Sequence, residues 1–238
     1  MEVKLISCTP DAEKTLVYIA RVSSNNQNNT EYAKLVKYLI DNNHYSPFEH
    51  AFLTVEIKTS RAVAAQILRH RSFTFQEFSQ RYADVPEEQP DLLIARKPDV
   101  KNRQSSEGEA DPKLVEKFLH MQDSIWDHCY GNYKSALAMG VPREQARMLL
   151  PLMCPTTIYM SGTLRSWMHY LQQRCDSHTQ KEHRDIALKI RTLLADKFPV
   201  TWEALGWTEE QLKLTKEVRE FNEKIVDMSA KYLKLTDK

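Results

Sequence analysis

Glycine is scarce in this chain. Its 238 residues include five glycines, at positions 108, 131, 140, 162 and 206, and no two lie within eight residues of each other. Neither a GxGxxG turn nor a Walker loop can be built from them. A nucleotide bound here is therefore held by side chains rather than by a glycine-rich turn at a helix N-terminus. Arginine suits that task, because its planar fork grips phosphate oxygens two at a time.

The bulk properties narrow the remaining classes. A hydrophobic content of 42% over this length predicts one globular domain with a real core. Thirty-three Lys and Arg against 32 Asp and Glu leave a charge of +1, too little field to hold duplex nucleic acid, so any anion site is local. Cys8, Cys129, Cys154 and Cys175 form no CxxC pair, which argues against a zinc site or a disulfide framework and fits a reducing cytoplasm. No uninterrupted apolar run reaches the length of a signal or membrane helix, so the expectation is a soluble, unprocessed protein with no membrane or nucleic-acid partner.

Periodicity predicts a strand over residues 3–7, helices over 10–22 and 30–41 (Leu35 and Leu39 buried), and a strand over 51–59, where Leu53, Val55 and Ile57 alternate with polar residues. A short Ala-rich helix over 61–68 leads into Arg69-His70-Arg71. Residues 83–110, with three prolines, read as a long surface loop with a short strand at 92–95. Leu114, Phe118, Met121, Ile125 and Cys129 then mark the buried face of a long helix ending near Gly140. Pro142 opens a helix that stops at Pro151, followed by a strand at 156–160 and helices over 163–174 and 179–197. The pattern fits an α+β domain with a mixed or antiparallel sheet flanked by long helices. Leu214, Val218, Phe221, Ile225, Met228, Tyr232 and Leu235 step by fours and threes, a helix whose stripe covers either this chain's core or a neighbouring subunit. Residues 1–207 are read as the main domain and 208–238 as this helix.

Two basic clusters stand out. In the first, Arg69, His70 and Arg71 are three adjacent potential cations and Arg81 follows ten residues later, interleaved with Phe73, Phe75 and Phe78. The second has Arg143 and Arg147, then Arg165 and His169, each pair four apart, and then Arg174. Plain alternatives stand beside these: a solvated helix end, an Arg143 ion pair, or a His169 satisfied in the core. His44, Glu49, His50, His178 and His183 show no helical metal-ligand spacing with a carboxylate helper, so loop hydrogen bonding is the simpler role.

Arg69-His70-Arg71, seven residues, then Ser79 resembles the signature of the flavin-dependent thymidylate synthases. The resemblance extends through Ser46-Pro47-Phe48-Glu49-His50, Glu77, Arg81-Tyr82, Gly140-Val141-Pro142-Arg143, Arg147, Leu164-Arg165-Ser166, Arg174, Asp176, Ser177 and His178, leaving only about residues 102–110 and the segment after Trp207 without a counterpart. It implies a homotetramer with active sites shared between subunits. FAD would be contacted by His44, Ser46, Arg69, His70, Arg71, Ser72, Glu77, Thr163, Leu164, Arg165 and His169. The substrate dUMP would be held by Gln66, Ile67, Leu68, Arg69, Glu77, Phe78, Ser79, Gln80, Arg81, Arg147 and Arg174, with Arg81 and Arg147 on the phosphate.

The implied reaction converts dUMP to dTMP, with the carbon from 5,10-methylenetetrahydrofolate and the reducing equivalents from NADPH by way of FAD. Arg174 near O2 and N3 would favour an anionic pyrimidine, and Ser79 would position it, no base being identifiable beside it. Cys154, followed by proline, invites comparison with the unrelated thymidylate synthases that use a nucleophilic cysteine, but a core role fits better. Gln76, Thr163 and His169 stand where the family commonly has asparagine, and each still hydrogen-bonds. Competing classes are a nucleic-acid module built on residues 69–81 and a metal-dependent nucleotide hydrolase built on His44, Glu49, His50 and His178.

Overall fold

The computed structural model describes residues 1–207, so the heptad stripe at 214–235 lies outside the described residues. In chain order the elements are β1 (Glu2–Cys8), α1 (Ala12–Ala20), α2 (Ala33–Asp41), β2 (Phe52–Ser60), α3 (Arg61–Ile67), β3 (Thr74–Glu77), β4 (Arg96–Pro98), β5 (Ser106–Glu109), α4 (Pro112–Ala138), α5 (Arg143–Ala146), β6 (Pro155–Thr163), α6 (Leu164–Arg174), α7 (Lys181–Lys197) and α8 (Pro199–Ala204). The main sheet has the order β1-β2-β6-β3 and every pairing in it is antiparallel.

The centre of the sheet follows from alternation. β2 and β6 pair along nine positions, from Phe52 opposite Thr163 to Ser60 opposite Pro155. Leu53, Val55 and Ile57 and, across the ladder, Ile158 and Met160 are fully buried on the inner face. Leu53, Val55, Ile57 and Met160 pack with Trp167, Tyr170, Ile186 and Ile190 in one cluster, with α6 and α7 against each other. Each such aliphatic side chain contributes roughly 1.5–3 kcal/mol by leaving water. Trp167 Nε1 donates to the Leu53 carbonyl at 3.1 Å, tying α6 to the sheet.

Both central strands run directly into helices through hydroxyl caps. Ser60 accepts from Val63 N and Thr163 from Ser166 N, each cap stabilising by about 1 kcal/mol. Because β2 and β6 are antiparallel, α3 and α6 leave from opposite ends of the pair. The segment after α3 then carries the chain back along the sheet, so that Thr74 pairs with Ser161, two residues before α6 is capped. That return brings residues 70–73 against α6.

Several sequence expectations change. The expected buried stripe of α4 is the exposed one: Leu114, Phe118, Met121 and Ile125 are 52, 37, 50 and 48% exposed. The buried face is Leu119, Gln122, Trp126, Tyr130, Tyr133 and Ala136. Trp126 stacks on Tyr130, and the Tyr130 and Tyr133 hydroxyls bond the Val85 carbonyl and N–H. The larger rings of Trp126, Tyr130 and Tyr133, with the tyrosine hydroxyls satisfied, take the inner face. The helix read to Pro151 is only the four-residue α5 and a 3-10 turn over Arg147–Leu149. The Arg147 carbonyl takes Leu150 N at 3.2 Å, since proline at 151 has no N–H to continue the helix. At 92–95 no strand forms, although Leu92 and Ile94 are buried: the Gln122 amide binds both Leu93 N and Leu93 O, replacing a ladder. The hairpin in this region is instead β4 with β5. In α2 the fully buried pair is Val36 and Leu39, with Leu35 half-buried.

Candidate active site

The Arg69-His70-Arg71 turn is anchored by the ring that follows it. Phe73 is 8% exposed and lies 4.6 Å from Trp167 and 5.8 Å from Tyr170, centroid to centroid. Space for it depends on Gly162 of β6, where a Cβ would meet Phe73 Cδ1 at 2.5 Å. The His70 ring is held edge-on to Tyr170 at 4.8 Å and accepts a 2.9 Å hydrogen bond from Arg174 Nε. Burial, followed by the charges of Arg174 and His169, lowers the His70 pKa from 6.5 to about 4. The Arg69-His70-Arg71 triplet therefore holds two cations at neutral pH out of its three potential ones. Arg69 and Arg71 are exposed, and among the described residues no carboxylate pairs with either.

Helix α6 supplies the opposite wall. Ser166 Oγ donates to the Ser72 carbonyl at 3.2 Å, and Arg165 pairs with Glu49 at 2.8 Å. His169 is exposed, 3.0 Å from the Gln173 amide, rather than a core histidine. Ser46 is exposed at the start of a short 3-10 segment, Ser46–His50, held down by buried Pro47 and Phe48. His44 is exposed with its ring 5.8 Å from Tyr38. Ile67 and Leu164 are core side chains with no exposed surface and Leu68 is half-buried, so Ile67 and Leu164 offer a ligand only their backbone.

The segment after β3 meets α5. Glu77 Oε1 takes Arg61 at 2.7 Å and the Thr156 hydroxyl at 3.0 Å, which fixes the carboxylate beneath the strand. Ser79 and Arg81 are exposed, and Phe78 is half-buried. Gln80 instead turns inward: it is 6% exposed and its Nε2 donates to Cys154 Sγ at 3.4 Å. Arg81 pairs with Glu144 at 3.4 Å, Arg143 with Asp84 at 2.5 Å, and Arg147 Nε donates to the Glu144 carbonyl at 3.2 Å. The second basic cluster is thus split, with Arg143 and Arg147 beside Arg81, and Arg165, His169 and Arg174 along α6. Cys154 has no exposed surface, and burial raises its thiol pKa to about 11.

A buried set behind the turn was not foreseen. His183 has no exposed surface; its Nε2 lies 3.0 Å from the Tyr170 hydroxyl and its Nδ1 3.3 Å from Gln66 Oε1. Burial, with Arg174 and His70 adding to it, lowers its pKa to about 3. Sequence gave His183 only a place among possible metal ligands, because its partners are 13 and 117 residues away. Glu49 is occupied by Arg165 and His178 by Asp176 at 2.7 Å, and among the described residues no group of three or more metal-binding side chains gathers.

Outward-facing guanidinium groups over an aromatic floor, with neutral histidines behind, are suited to anions carrying planar rings. The family model for the thymidylate synthase complementing protein matches residues 4–200. The chain is 45% identical over 217 residues to a flavin-dependent thymidylate synthase of Synechocystis sp. (strain ATCC 27184 / PCC 6803 / Kazusa), covering 87% of this chain and all of that protein. A probable flavin-dependent thymidylate synthase of Paramecium bursaria Chlorella virus 1 is 45% identical over 216 residues, with the same coverage. Among solved structures, a UMP/dUMP methylase, PolB, from Streptomyces cacaoi bound with 5-Br dUMP superposes with a TM-score of 0.76 at 26% identity, covering 86% of this chain and 94% of that one. The chain belongs to the thymidylate synthase complementing protein family.

Proposed function

We propose that this protein is a flavin-dependent thymidylate synthase that converts dUMP to dTMP. It uses 5,10-methylenetetrahydrofolate as carbon donor and NADPH as reductant, giving tetrahydrofolate and NADP+. The observation that carries the reading is the pair of exposed guanidinium groups, Arg69 and Arg71, without carboxylate partners among the described residues, flanking a neutral His70 that orients Arg174. The two curated synthases at 45% identity and the methylase carrying a dUMP analogue support the same substrate.

The donor set fits FAD, which when bound supplies the reducing equivalents for methylation. Arg69, Arg71 and Arg165 would hold its pyrophosphate, with hydroxyls of Ser46, Ser72 and Thr163, the side chains of His44 and His169, and the Leu164 backbone completing the contacts. His70 donates no charge there; it presents a lone pair that keeps Arg174 Nε turned inward, leaving the terminal guanidinium nitrogens for the pyrimidine. Those N–H groups would stabilise negative charge on O2 and N3 as C5 becomes nucleophilic. Arg81 and Arg147 would take the phosphate, Glu144 and its carbonyl keeping them in place until the nucleotide arrives. Gln66 and backbone groups of Ile67, Leu68, Phe78 and Gln80 would line the nucleoside, with Glu77 braced by Arg61. Ser79 would orient the ring; no histidine or carboxylate hydrogen-bonds its hydroxyl among the described residues, so it has no base to make it a nucleophile.

The exposed apolar stripe on α4 supports a subunit contact, because four large apolar residues in helical register are costly to leave in water, and the proposed assembly is a homotetramer with shared sites. Residues 1–207 would form the synthase unit, with 208–238 belonging to it or to a subunit contact. Incubation of the purified protein with FAD, NADPH, methylenetetrahydrofolate and dUMP, followed by chromatography of the nucleotides, tests the proposal. Formation of dTMP that depends on every component is expected, and no dTMP under any combination overturns it.

A further inference from the structure

Five polar groups behind the candidate site form one chain of hydrogen bonds whose direction can be read from its end. Glu182 is 3% exposed, and its Oε1 takes Arg96 at 2.6 Å. Held as a carboxylate by that guanidinium, Glu182 can only accept, so the Gln180 amide must turn its NH2 toward Oε2, at 2.8 Å. Gln180 Oε1 then faces Gln66 and accepts from Gln66 Nε2 at 2.5 Å. That leaves Gln66 Oε1 facing His183 Nδ1 at 3.3 Å, where only a protonated Nδ1 makes a bond. Nε2 of His183 is consequently the lone-pair nitrogen and accepts from the Tyr170 hydroxyl at 3.0 Å. Every link is consistent, and with Glu182 ionised and His183 neutral no other assignment satisfies all of them.

We infer that this relay, from Glu182 through Gln180, Gln66 and His183 to Tyr170, fixes the amide of Gln66 so that it meets the nucleotide base as a hydrogen-bond donor. His183 and Glu182 are positioning residues for base recognition. The inference rests on the proposal that Gln66 contacts dUMP. One N–H of Gln66 goes to Gln180; the second has no partner among the described residues and would be the donor offered to a pyrimidine carbonyl. A base presenting a donor at that place, such as an exocyclic amine, would meet it donor to donor. Burial of Glu182 and Tyr170 keeps water from competing for the ends of the relay.

The test compares two variants of the FAD-loaded enzyme by calorimetric titration with dUMP. His183→Asn keeps an N–H at the Nδ1 position and is expected to bind dUMP within about threefold of the parent. His183→Gln removes it and is expected to weaken binding about tenfold, raising KM more than it lowers kcat, as loss of one hydrogen bond would. In a Gln66→Ala background, His183→Gln should cost nothing further. Equal losses in the two His183 variants, or an undiminished loss without Gln66, would overturn the relay. The ligand-free protein gives a separate readout that survives if either variant fails to fold: nitrogen-15 NMR of the histidines should find His183 protonated on Nδ1 alone, and protonation on Nε2 would overturn it. If the parent binds no dUMP while showing the expected tautomer, it is the substrate reading that fails.

Discussion

Arg174 Nε donates to His70 Nε2 at 2.9 Å, joining the last residue of α6 to the turn after α3 across 104 positions of sequence. The bond exists only while His70 is neutral. His70 titrates near 4 and His183 near 3 in the folded protein, whereas both titrate near 6.5 when unfolded. Their native pKa values are depressed, so as pH falls below about 6.5 the unfolded chain takes up protons that the native state refuses, and stability falls. These two residues add no pH dependence above about pH 7.5. Urea midpoints measured between about pH 7 and pH 4.5 should decline with a slope that His183→Gln makes shallower by close to one proton.

Gly162 tests what holds the arginine turn in place. A methyl group there would meet the Phe73 ring at 2.5 Å, and that ring packs against Trp167 and Tyr170. Gly162→Ala is therefore expected to destabilise by about 1–3 kcal/mol through overpacking. It should also weaken FAD binding, since Arg69 and Arg71 move with Phe73. Denaturation curves and flavin titration check the two effects; unchanged flavin affinity with lowered stability would separate the turn from the ring.

Cys154 has no exposed surface, its thiol titrates near 11, and it receives the Gln80 amide at 3.4 Å. A thiol that neither ionises nor reaches solvent is not a nucleophile. Cys154→Ala should keep kcat for dTMP formation within about threefold, at a stability cost near 1 kcal/mol for the small cavity. A loss of about a thousandfold or more in kcat, with the fold intact, would restore a covalent role.

The outer face of α4 carries Leu114, Phe118, Met121 and Ile125, all at least 37% exposed in the isolated chain. If subunits meet there, Met121→Glu places a charge in an apolar contact and should shift the assembly toward smaller species. Sedimentation velocity reads the change directly, and an unaltered assembly would move the interface elsewhere. Because the sites are proposed to be shared, flavin content should fall with assembly size.

Much of the sheet was legible because alternation is local: Leu53, Val55 and Ile57 announced β2 and residues 156–160 announced β6, while their antiparallel pairing, which joins residues about a hundred apart, was not legible. The arginine positions were legible through the spacing of Arg69, His70, Arg71 and Ser79. The neutrality of His70 was not, since it comes from burial in the folded chain and from the charges of Arg174 and His169, about a hundred residues away. Strand β3 was hidden because Thr74 to Glu77 lies within the basic cluster and pairs on one side only, with β6. Helix α4 differs for another reason: it has apolar residues on two faces, and the face that turns inward carries Trp126, Tyr130 and Tyr133, whose stacking and hydroxyl bonds to Val85 are tertiary contacts. Gln180 and Glu182 look like an ordinary polar helix start until Arg96 and Gln66 are placed beside them.

The central claim is that this chain methylates dUMP with electrons delivered through FAD. A single-turnover experiment tests it most directly: FAD-loaded protein is reduced anaerobically with NADPH, freed of excess reductant, and mixed with dUMP and methylenetetrahydrofolate while visible absorbance and dTMP are followed together. Oxidised-flavin absorbance is expected to return in step with one dTMP per flavin. Protein that takes up no FAD, or flavin that reoxidises without dTMP being formed, would contradict it.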